Sequence, residues 1–284
     1  MSTPNVLPVP GPAPLVEVRA SSRLVVRKVS PETIERVVAV LAPVLLLGLW
    51  EALTRSNVLD QRFFPAPSSI VDTFYHMTFK MPWDNSLAYH VLISLSRALI
   101  GFLLGAIPAI AIGAIMGLVP IVRAAVQPIV GALFPIPKVA ILPLLMLVFG
   151  IGEESKWAII AIGVFFQVLI ATAAGVSNID RIYLDVGANF KAGRIATYTT
   201  IAFPGALPMI VAGLRLGWGS SLLLLVTAEM VSSQSGVGFL IWRAWQLMTV
   251  EDMYVGLVVI ACIGITSFWL IDALESRLLP WKRR

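Results

Sequence analysis

The sequence predicts an all-α protein that crosses a membrane several times, and its composition and its long apolar runs support this fold class. Of its 284 residues, 58% are hydrophobic and only 13% are charged, whereas a soluble domain carries about 25% charged residues. A folded soluble chain of this size still has a wide surface to solvate. The composition therefore excludes an ordinary soluble enzyme, a disordered chain and a nucleic-acid-binding protein.

A membrane-spanning helix needs roughly 20 mostly apolar residues, and five segments meet this requirement. They are residues 34–53, 87–119, 157–176, 206–228 and 254–271. A sixth segment, 124–152, is equally apolar but contains four prolines, and proline breaks a helix because it lacks a backbone donor. Such a break is tolerated at membrane depth where protein or water covers the freed backbone groups. We therefore predict six spans, one of them broken, with five spans as the alternative.

The distribution of basic residues predicts the orientation of the chain. With the N-terminus in the cytoplasm, 13 Lys and Arg residues fall in cytoplasmic segments and five on the opposite side. Because basic residues accumulate on the cytoplasmic side of membrane proteins, both termini are expected there, which requires an even number of crossings. The same excess of cytoplasmic Lys and Arg explains the net charge of +5, which therefore does not indicate a nucleic-acid partner.

Composition also divides the chain into four parts. Residues 1–33 form a Pro-rich tail that is expected to be disordered and cytoplasmic. Residues 34–86 hold the first span and a segment on the outer side of the membrane. Residues 87–276 are the transmembrane core, which includes a cytoplasmic loop at 178–204, and residues 277–284 form a basic cytoplasmic C-terminus.

Small residues recur every four positions in two of the predicted spans. A stripe of this kind lets another helix backbone approach closely. The stripe serves either helix packing within one subunit or a contact that lines a dimer interface or a pathway. Its members are Gly101, Gly105, Ala109, Gly113 and Gly117 in the second span, with Gly213 and Gly217 in the fifth.

Three basic residues lie within predicted spans, where each charge costs at least ~2.5 kcal/mol to insert. Arg97, Lys138 and Arg215 must therefore face protein, water or lipid headgroups. They serve either as helix-end contacts or as part of a pathway, where their charge would suit an anion. No Asp or Glu lies in the middle of a span, and Glu229 and Asp272 fall near span ends. A coupled carrier usually has a carboxylate near the membrane midplane, so this pattern argues against one.

Sequence motifs for ATP hydrolysis and for hydrolase chemistry are missing. The chain contains no G-x-x-x-x-G-K-[ST], no H-E-x-x-H and no G-x-S-x-G. One cysteine, Cys262, and two histidines are too few for an intrachain disulfide or a Cys/His metal site. We expect no catalytic residue, no metal site and no bound cofactor. If the protein moves a solute uphill, the energy must enter through a partner.

The loop at 178–204 contains a short amphipathic stretch. Exposed apolar side chains among charged ones are expected to bind a groove on another protein, and a helix lying on the membrane surface is the alternative. The apolar members are Val186, Phe190 and Ile195, and the charged members are Asp185, Lys191 and Arg194.

This loop resembles the "EAA" coupling motif of permease subunits in bacterial ABC importers of the type I fold. In that motif an acidic residue and two small residues precede a glycine, and an apolar-proline pair follows further along. Asp185, Val186 and Gly187 are similar to its start, and Pro204 is similar to its end. The chain departs from the motif at Lys191, which stands where the family has its glycine, and at Val186, which replaces a small alanine.

Three further stretches resemble the permeases for nitrate, taurine, aliphatic sulfonates and bicarbonate. They are residues 135–143 (PIPKVAILP), 149–156 (FGIGEESK) and 64–69 (FPAPSS). The resemblance covers residues 36–276. It implies the type I ABC importer permease fold and a place in the bacterial inner membrane.

The resemblance also implies partners and roles for particular residues. Two permease subunits, expected to be a homodimer, would form a pathway for a small anion. Two ATP-binding cassette subunits would bind ATP and Mg²⁺ and hold the loops, while a periplasmic or lipid-anchored binding protein would deliver the solute. The spans would then alternate between inward- and outward-facing states. A self-sufficient carrier or channel, and a membrane scaffold, are the alternatives.

Candidate residues follow from this assignment. Those expected to couple to the ATPase subunit are Asp185, Val186, Gly187, Phe190, Lys191, Arg194, Ile195 and Pro204. Those expected to line a pathway or gate are Pro135, Pro137, Lys138, Pro143, Met146 and Arg215. Glu153, at the outer end of the broken span, is expected either to contact the binding protein or to cap a neighbouring helix.

Overall fold

The computed structural model describes residues 31–179, 182, 189 and 193–279, and the regular elements within these residues are all helical. The principal helices are α1 (Pro31–Arg55), α2 (Pro67–Phe79), α3 (Leu87–Leu118), α4 (Pro120–Leu133), α5 (Lys138–Phe149), α6 (Glu153–Ser177), α7 (Phe203–Ser232), α8 (Val237–Leu247) and α9 (Val250–Leu278). A short turn at Arg194–Thr197 and a π-helical turn at Tyr198–Ala202 lead into α7. Residues 1–30 of the predicted tail (1–33) and residues 280–284 of the predicted C-terminus lie outside the described residues, whereas α1 already begins at Pro31. Five coupling candidates also lie outside the described residues: Asp185, Val186, Gly187, Phe190 and Lys191.

Five of the described helices are long and apolar enough to span a membrane, namely α1, α3, α6, α7 and α9. Helices α4 and α5 pass the same test only as a pair, and they meet at an angle of 97°. This confirms the predicted all-α, multi-pass fold class, with five spans or six if the bent pair counts as one. The chain divides into two compact units, Met1–Gly48 and Leu49–Arg284.

Helix α6 lies between α3 and α7, and small residues set both contacts. A Cβ atom at Gly113 of α3 would lie 2.8 Å from the carbonyl oxygen of Leu169, and one at Gly105 would overlap the carbonyl of Ala161. On the other side of α6, a Cβ at Gly213 would meet Ala171 at 2.5 Å. The stripe of small residues therefore serves helix packing within one subunit, because it lets the helix backbones approach closely.

A test of this packing compares two glycines that differ only in their surroundings. Gly105→Ala should destabilise the protein by about 1–3 kcal/mol, because the Ala161 backbone cannot give way to the added methyl group. Gly131→Ala in α4 is the matched control, since nothing lies within 4 Å of its added Cβ. The measurement is the apparent melting temperature of each purified variant in detergent. Equal melting temperatures for the two variants would contradict the close approach of α3 and α6.

The helix faces that point away from these packing contacts carry large apolar side chains that are exposed. Leu147 of α5 is 83% exposed and Trp269 of α9 is 78% exposed. Large exposed apolar surfaces of this kind mark contact with lipid or with another protein. This pattern is what a helical bundle in a bilayer requires.

Candidate functional site

A cluster of four charged residues lies where α3, α6 and α7 meet, and three of the four are buried. It consists of Arg97 on α3, Glu153 and Lys156 on α6, and Glu229 on α7, and it is called the Arg97 cluster below. The Arg97 side chain is 5% exposed and that of Glu229 is fully buried. Since the cluster holds two cations and two carboxylates, its charges balance. It joins three helices that are far apart in the sequence.

Arg97 makes the central contacts of the cluster. Its Nε and Nη2 atoms donate to the two carboxylate oxygens of Glu153 at 2.6 and 2.7 Å. Its Nη1 donates to Glu229 at 2.8 Å and to the backbone carbonyl of Ser235 at 2.7 Å. A guanidinium presents its donors in a rigid planar fork that matches a carboxylate. Arg97 is thus fixed by groups on two other helices and on the loop that follows α7.

The Glu229 carboxylate also caps the start of α8. It accepts hydrogen bonds from the Ser94 hydroxyl at 2.8 Å and from the backbone N–H of Gly238 at 2.9 Å. The first N–H groups of a helix have no partner within the helix and favour a negative charge beside them. Glu229 therefore neutralises Arg97 and holds the N-terminus of α8 against α7.

One face of α3 binds the loop between α7 and α8. The backbone N–H of Gly236 donates to His90 Nδ1 at 2.9 Å, and that of Val237 donates to the Ser94 hydroxyl at 2.8 Å. Together with Arg97, these side chains occupy positions i, i+4 and i+7 of one helix, which lie on the same side. Gly236 has a φ of 109°, a conformation that glycine adopts without strain. A Cβ atom there would overlap the Glu229 carboxylate.

Glu153 is the member of the cluster whose side chain is partly exposed. It is 42% exposed, whereas the side chain of its partner Arg97 is 5% exposed. Glu153 also accepts a hydrogen bond from Lys156 at 3.1 Å and lies in the first turn of α6, where a carboxylate complements the helix dipole. It therefore ties α3 to α6. A contact with a binding protein stays a prediction for its exposed side.

Lys138 covers the break between α4 and α5. Its ammonium group donates to the carbonyl oxygens of Phe134 and Ile136, the latter at 2.9 Å, and lies 5.1 Å from the centre of the Phe166 ring. The last carbonyl groups of a helix have no partner within it, and Pro135 and Pro137 supply no N–H donor. The predicted break is confirmed, and Lys138 supplies donors that the broken backbone needs.

Arg215 lies on α7, a different helix from the other pathway candidates. Its guanidinium pairs with Asp272 and with Glu275 of α9, the latter at 3.0 Å. Pro135, Pro137, Lys138, Pro143 and Met146 belong instead to α5 and the break before it. The geometry gives Arg215 a role in joining α7 to α9.

These contacts weaken the hypothesis that Arg97, Lys138 and Arg215 attract an anion into a transport pathway. Arg97 and Arg215 are each paired with two carboxylates, so neither presents an uncompensated positive charge. Within the part of the chain that the structure describes, Lys138 contacts backbone carbonyls and aromatic rings but forms no ion pair. An anion in a pathway would be attracted by a positive charge that no carboxylate compensates. Of the three residues, only Lys138 carries such a charge within the described part of the chain.

Of the predicted coupling residues, the structure describes the side-chain surroundings of Pro204 alone. Pro204 lies in the first turn of α7, where proline is tolerated because the N–H it lacks has no partner there. Arg194 and Ile195 lie on the short helical turn that precedes α7. In the described ranges, no group of three or more His, Cys, Asp or Glu side chains is arranged to hold a metal ion.

Comparison with known proteins identifies the family. Residues 101–280 match the family described as the binding-protein-dependent transport system inner membrane component. The chain belongs to this family. The matched segment begins within α3 and contains every member of the Arg97 cluster except Arg97 itself.

Curated relatives narrow the group to which this permease belongs. The chain is 31% identical to the taurine transport permease TauC of Escherichia coli, over 83% of this chain and 86% of that protein. It is 32% identical to the putative aliphatic sulfonates transport permease SsuC of Bacillus subtilis, over 85% and 86%. It is 28% identical to the nitrate import permease NrtB of Synechocystis, over 90% and 92%. The protein is thus an ABC importer permease of the nitrate, taurine and sulfonate group, as its motifs predict.

Sequence reasoning missed the Arg97 cluster, although a signal for it was present. His90, Ser94 and Arg97 are polar residues on one face of a helix that is otherwise strongly apolar, and polar groups so placed need buried partners. For Glu229 the sequence shows only that it lies near the end of a span. The sequence itself does not indicate which distant carboxylate meets which cation.

Proposed function

We propose that this chain is the permease subunit of an ATP-driven importer that moves a small anionic solute across the inner membrane by alternating access. The solute class would be nitrate, a sulfonate such as taurine, bicarbonate or an organic acid. The observation that carries the proposal is the match to relatives named as transport permeases for taurine, sulfonates and nitrate over more than four-fifths of this chain. Under this proposal the chain is not an enzyme and binds no cofactor.

The proposed partners supply the energy for transport and select the solute. Two ATP-binding cassette subunits bind ATP and Mg²⁺, and they contact the loop that contains Asp185–Pro204. A second copy of this permease completes the pathway, and a periplasmic or lipid-anchored binding protein delivers the solute. Membrane lipids surround the spans, and no nucleic acid is involved. Both termini lie in the cytoplasm, in agreement with the distribution of basic residues.

The continuity of α7 supports a mechanical link between the two sides of the membrane. Pro204 lies in its first turn and Glu229 in its last, 25 positions further along one continuous helix. This length corresponds to roughly 38 Å at 1.5 Å per residue. A displacement of the loop by the ATPase subunits would move α7 and, at its far end, shift Glu229 against Arg97. Packed interfaces with two discrete arrangements carry such transitions.

The bent pair α4–α5 supports a pathway formed with a second copy. Leu144, Leu147 and Val148 of α5 are exposed, so this helix has a free face in the single chain. Pro135, Pro137, Lys138, Pro143 and Met146 lie on or beside this helix. We place the pathway or gate along α5, with Lys138 as the cation beside which an anion would pass, and Arg215 as a support for α7.

The first experiment is a mild-detergent purification of the tagged protein from its native membranes. Mass spectrometry identifies the proteins that accompany it, and the same sample is assayed for ATP hydrolysis. A stoichiometric nucleotide-binding subunit with ATPase activity is the expected result, and it leads to the binding protein and the solute. A permease that purifies alone from several detergents, without ATPase activity, would favour a carrier or a scaffold.

A further inference from the structure

Helix α2 is too short to span a membrane, and it packs against two helices that are long enough to do so. Its 13 residues extend roughly 20 Å, whereas the hydrocarbon core of a bilayer is about 30 Å thick. Its buried residues Ile70 and Met77 join one apolar cluster with Leu87, the first residue of α3, and with Val255 and Val259 of α9. Helix α2 therefore lies on the side of the membrane where α3 and α9 begin.

The packing against α9 sets the depth of α2 in the membrane. Helix α9 has 29 residues and is roughly 44 Å long, about the thickness of a bilayer with its headgroups. Val255 and Val259 lie five and nine positions beyond its first residue, Val250, or roughly 8 and 14 Å along the helix. Because headgroups occupy the outer ~5–8 Å of each leaflet, α2 lies at the boundary between headgroups and acyl chains.

One side of α2 is apolar and exposed. Val71 is 68% exposed and Phe79 is 67% exposed, and Phe74 and Tyr75 between them are exposed as well. Residues spaced by three and four positions share one side of a helix, and the rings of Tyr75 and Phe79 lie 5.2 Å apart between centroids. A large exposed apolar surface marks contact with lipid or with another protein.

The other exposed side of α2 is polar. Its residues Ser69, Asp72 and Thr73 line a groove together with Thr249 and Glu251 at the start of α9. Hydroxyl and carboxylate groups in such a groove are hydrated, so this side of α2 faces water. A helix with one apolar and one polar side lies in the plane of the membrane surface, with its apolar side in the acyl chains.

Exposed aromatic residues flank α2 at both ends. Phe63 and Phe64 precede it and Trp83 follows it. The hydroxyl of Tyr254, in the second turn of α9, donates to the backbone carbonyl of Phe63 at 3.3 Å, which holds this segment at the level where α9 begins. Trp and Tyr concentrate at the membrane–water interface, since their rings are apolar and each carries one polar group. These residues extend the apolar side of α2 into an aromatic belt.

We propose that α2 is an interfacial helix whose apolar side, formed by Val71, Phe74, Tyr75 and Phe79, binds the acyl chains of the adjacent lipid leaflet. Lipid is the occupant because this surface lies at the boundary between headgroups and acyl chains and continues into the aromatic belt. The four side chains bind by burying apolar area, so no particular headgroup charge is required. The proposal concerns the membrane alone and does not depend on the solute or on the ATPase subunit.

The test is spin labelling of single cysteines on α2, in the full-length chain reconstituted alone in liposomes. Cys262→Ala first removes the one cysteine of the chain. The apolar side is reported by labels at Val71→Cys, Tyr75→Cys and Phe79→Cys. The matched controls, on the polar side of the same helix, are Asp72→Cys and His76→Cys. Collision with oxygen, which dissolves in hydrocarbon, is compared with collision with a water-soluble nickel chelate.

The ratio of oxygen to nickel collision rates is expected to be several-fold higher for the apolar-side labels than for the controls. Equal ratios on the two sides of α2 would place the apolar side in water and overturn the proposal. Protection of the apolar-side labels from both reagents would assign this side to protein, such as a second copy, and would overturn it too. A label that disturbs the fold is recognised by lost monodispersity in size-exclusion chromatography, and Phe74→Cys then takes its place.

Discussion

Replacing Arg97 with methionine is expected to destabilise the folded permease by about 3–5 kcal/mol, the usual result of removing one partner of a buried ion pair. The fully buried Glu229 would lose its cation, and the Ser235 carbonyl would lose a donor. Since Glu229 also caps α8, we expect the α7–α8 connection to loosen. The measurement is unfolding of the purified protein in mixed micelles, with the yield of monodisperse protein as a second readout.

Two controls separate the loss of the ion pair from the loss of an arginine. Arg243→Met removes an exposed arginine on α8 and should have little effect, because a surface substitution usually changes stability by less than about 0.5 kcal/mol. The double variant Arg97→Met with Glu229→Gln removes both charges and should recover much of the lost stability. If Arg97→Met proved as stable as Arg243→Met, the buried pair would not have the role assigned to it.

The second large effect is expected on binding of the ATPase subunit to the loop at 178–204. Replacing Phe190 and Ile195 together with aspartate should detach the ATPase subunit, because two apolar contacts become charges that the partner must desolvate. Truncating an apolar residue at the centre of an interface typically costs more than 1 kcal/mol, so the pair should weaken binding by at least about tenfold. Uptake of solute should fall with it, since ATP then no longer drives the spans. The measurement is the amount of ATPase subunit that co-purifies.

The matched control places aspartate on an exposed apolar residue at the other end of the spans. Met248, which follows the last residue of α8, is 77% exposed and has a φ of 57°, a conformation that aspartate tolerates. Met248→Asp should leave co-purification unchanged. Size-exclusion chromatography checks that the loop variant retains a monodisperse permease. Undiminished co-purification of the ATPase subunit with the loop variant would remove the docking role from these two residues.

Local patterns in the sequence predicted much of this fold. The second predicted span, 87–119, corresponds to α3 at Leu87–Leu118, because a long apolar run has one stable form in a bilayer, a helix. The stripe from Gly101 to Gly117 predicted close packing, and α6 provides the partner. Proline predicted the break between α4 and α5, since it cannot donate a backbone hydrogen bond.

The candidate site was harder to predict because its residues are far apart in the chain. Arg97 and Glu153 are 56 positions apart, and Arg97 and Glu229 are 132 positions apart. Helical periodicity shows which residues share one face of one helix, but it does not give the rotation of that helix against its neighbours. The same limit applies to Arg215, whose carboxylate partners lie on α9.

The sequence by itself determined the fold class, the number of spans to within one, the break, and the family through its motifs. Each of these depends on local composition or spacing, which the bilayer converts into structure because backbone groups in hydrocarbon must be satisfied within a helix. Only the tertiary structure decided which charges meet. Close contacts at Gly105, Gly113 and Gly213 set the register of α3, α6 and α7. That register brings Arg97 against the carboxylates of Glu153 and Glu229. From the sequence alone Arg97 suits either a pathway or a helix contact, and in the structure it joins three helices.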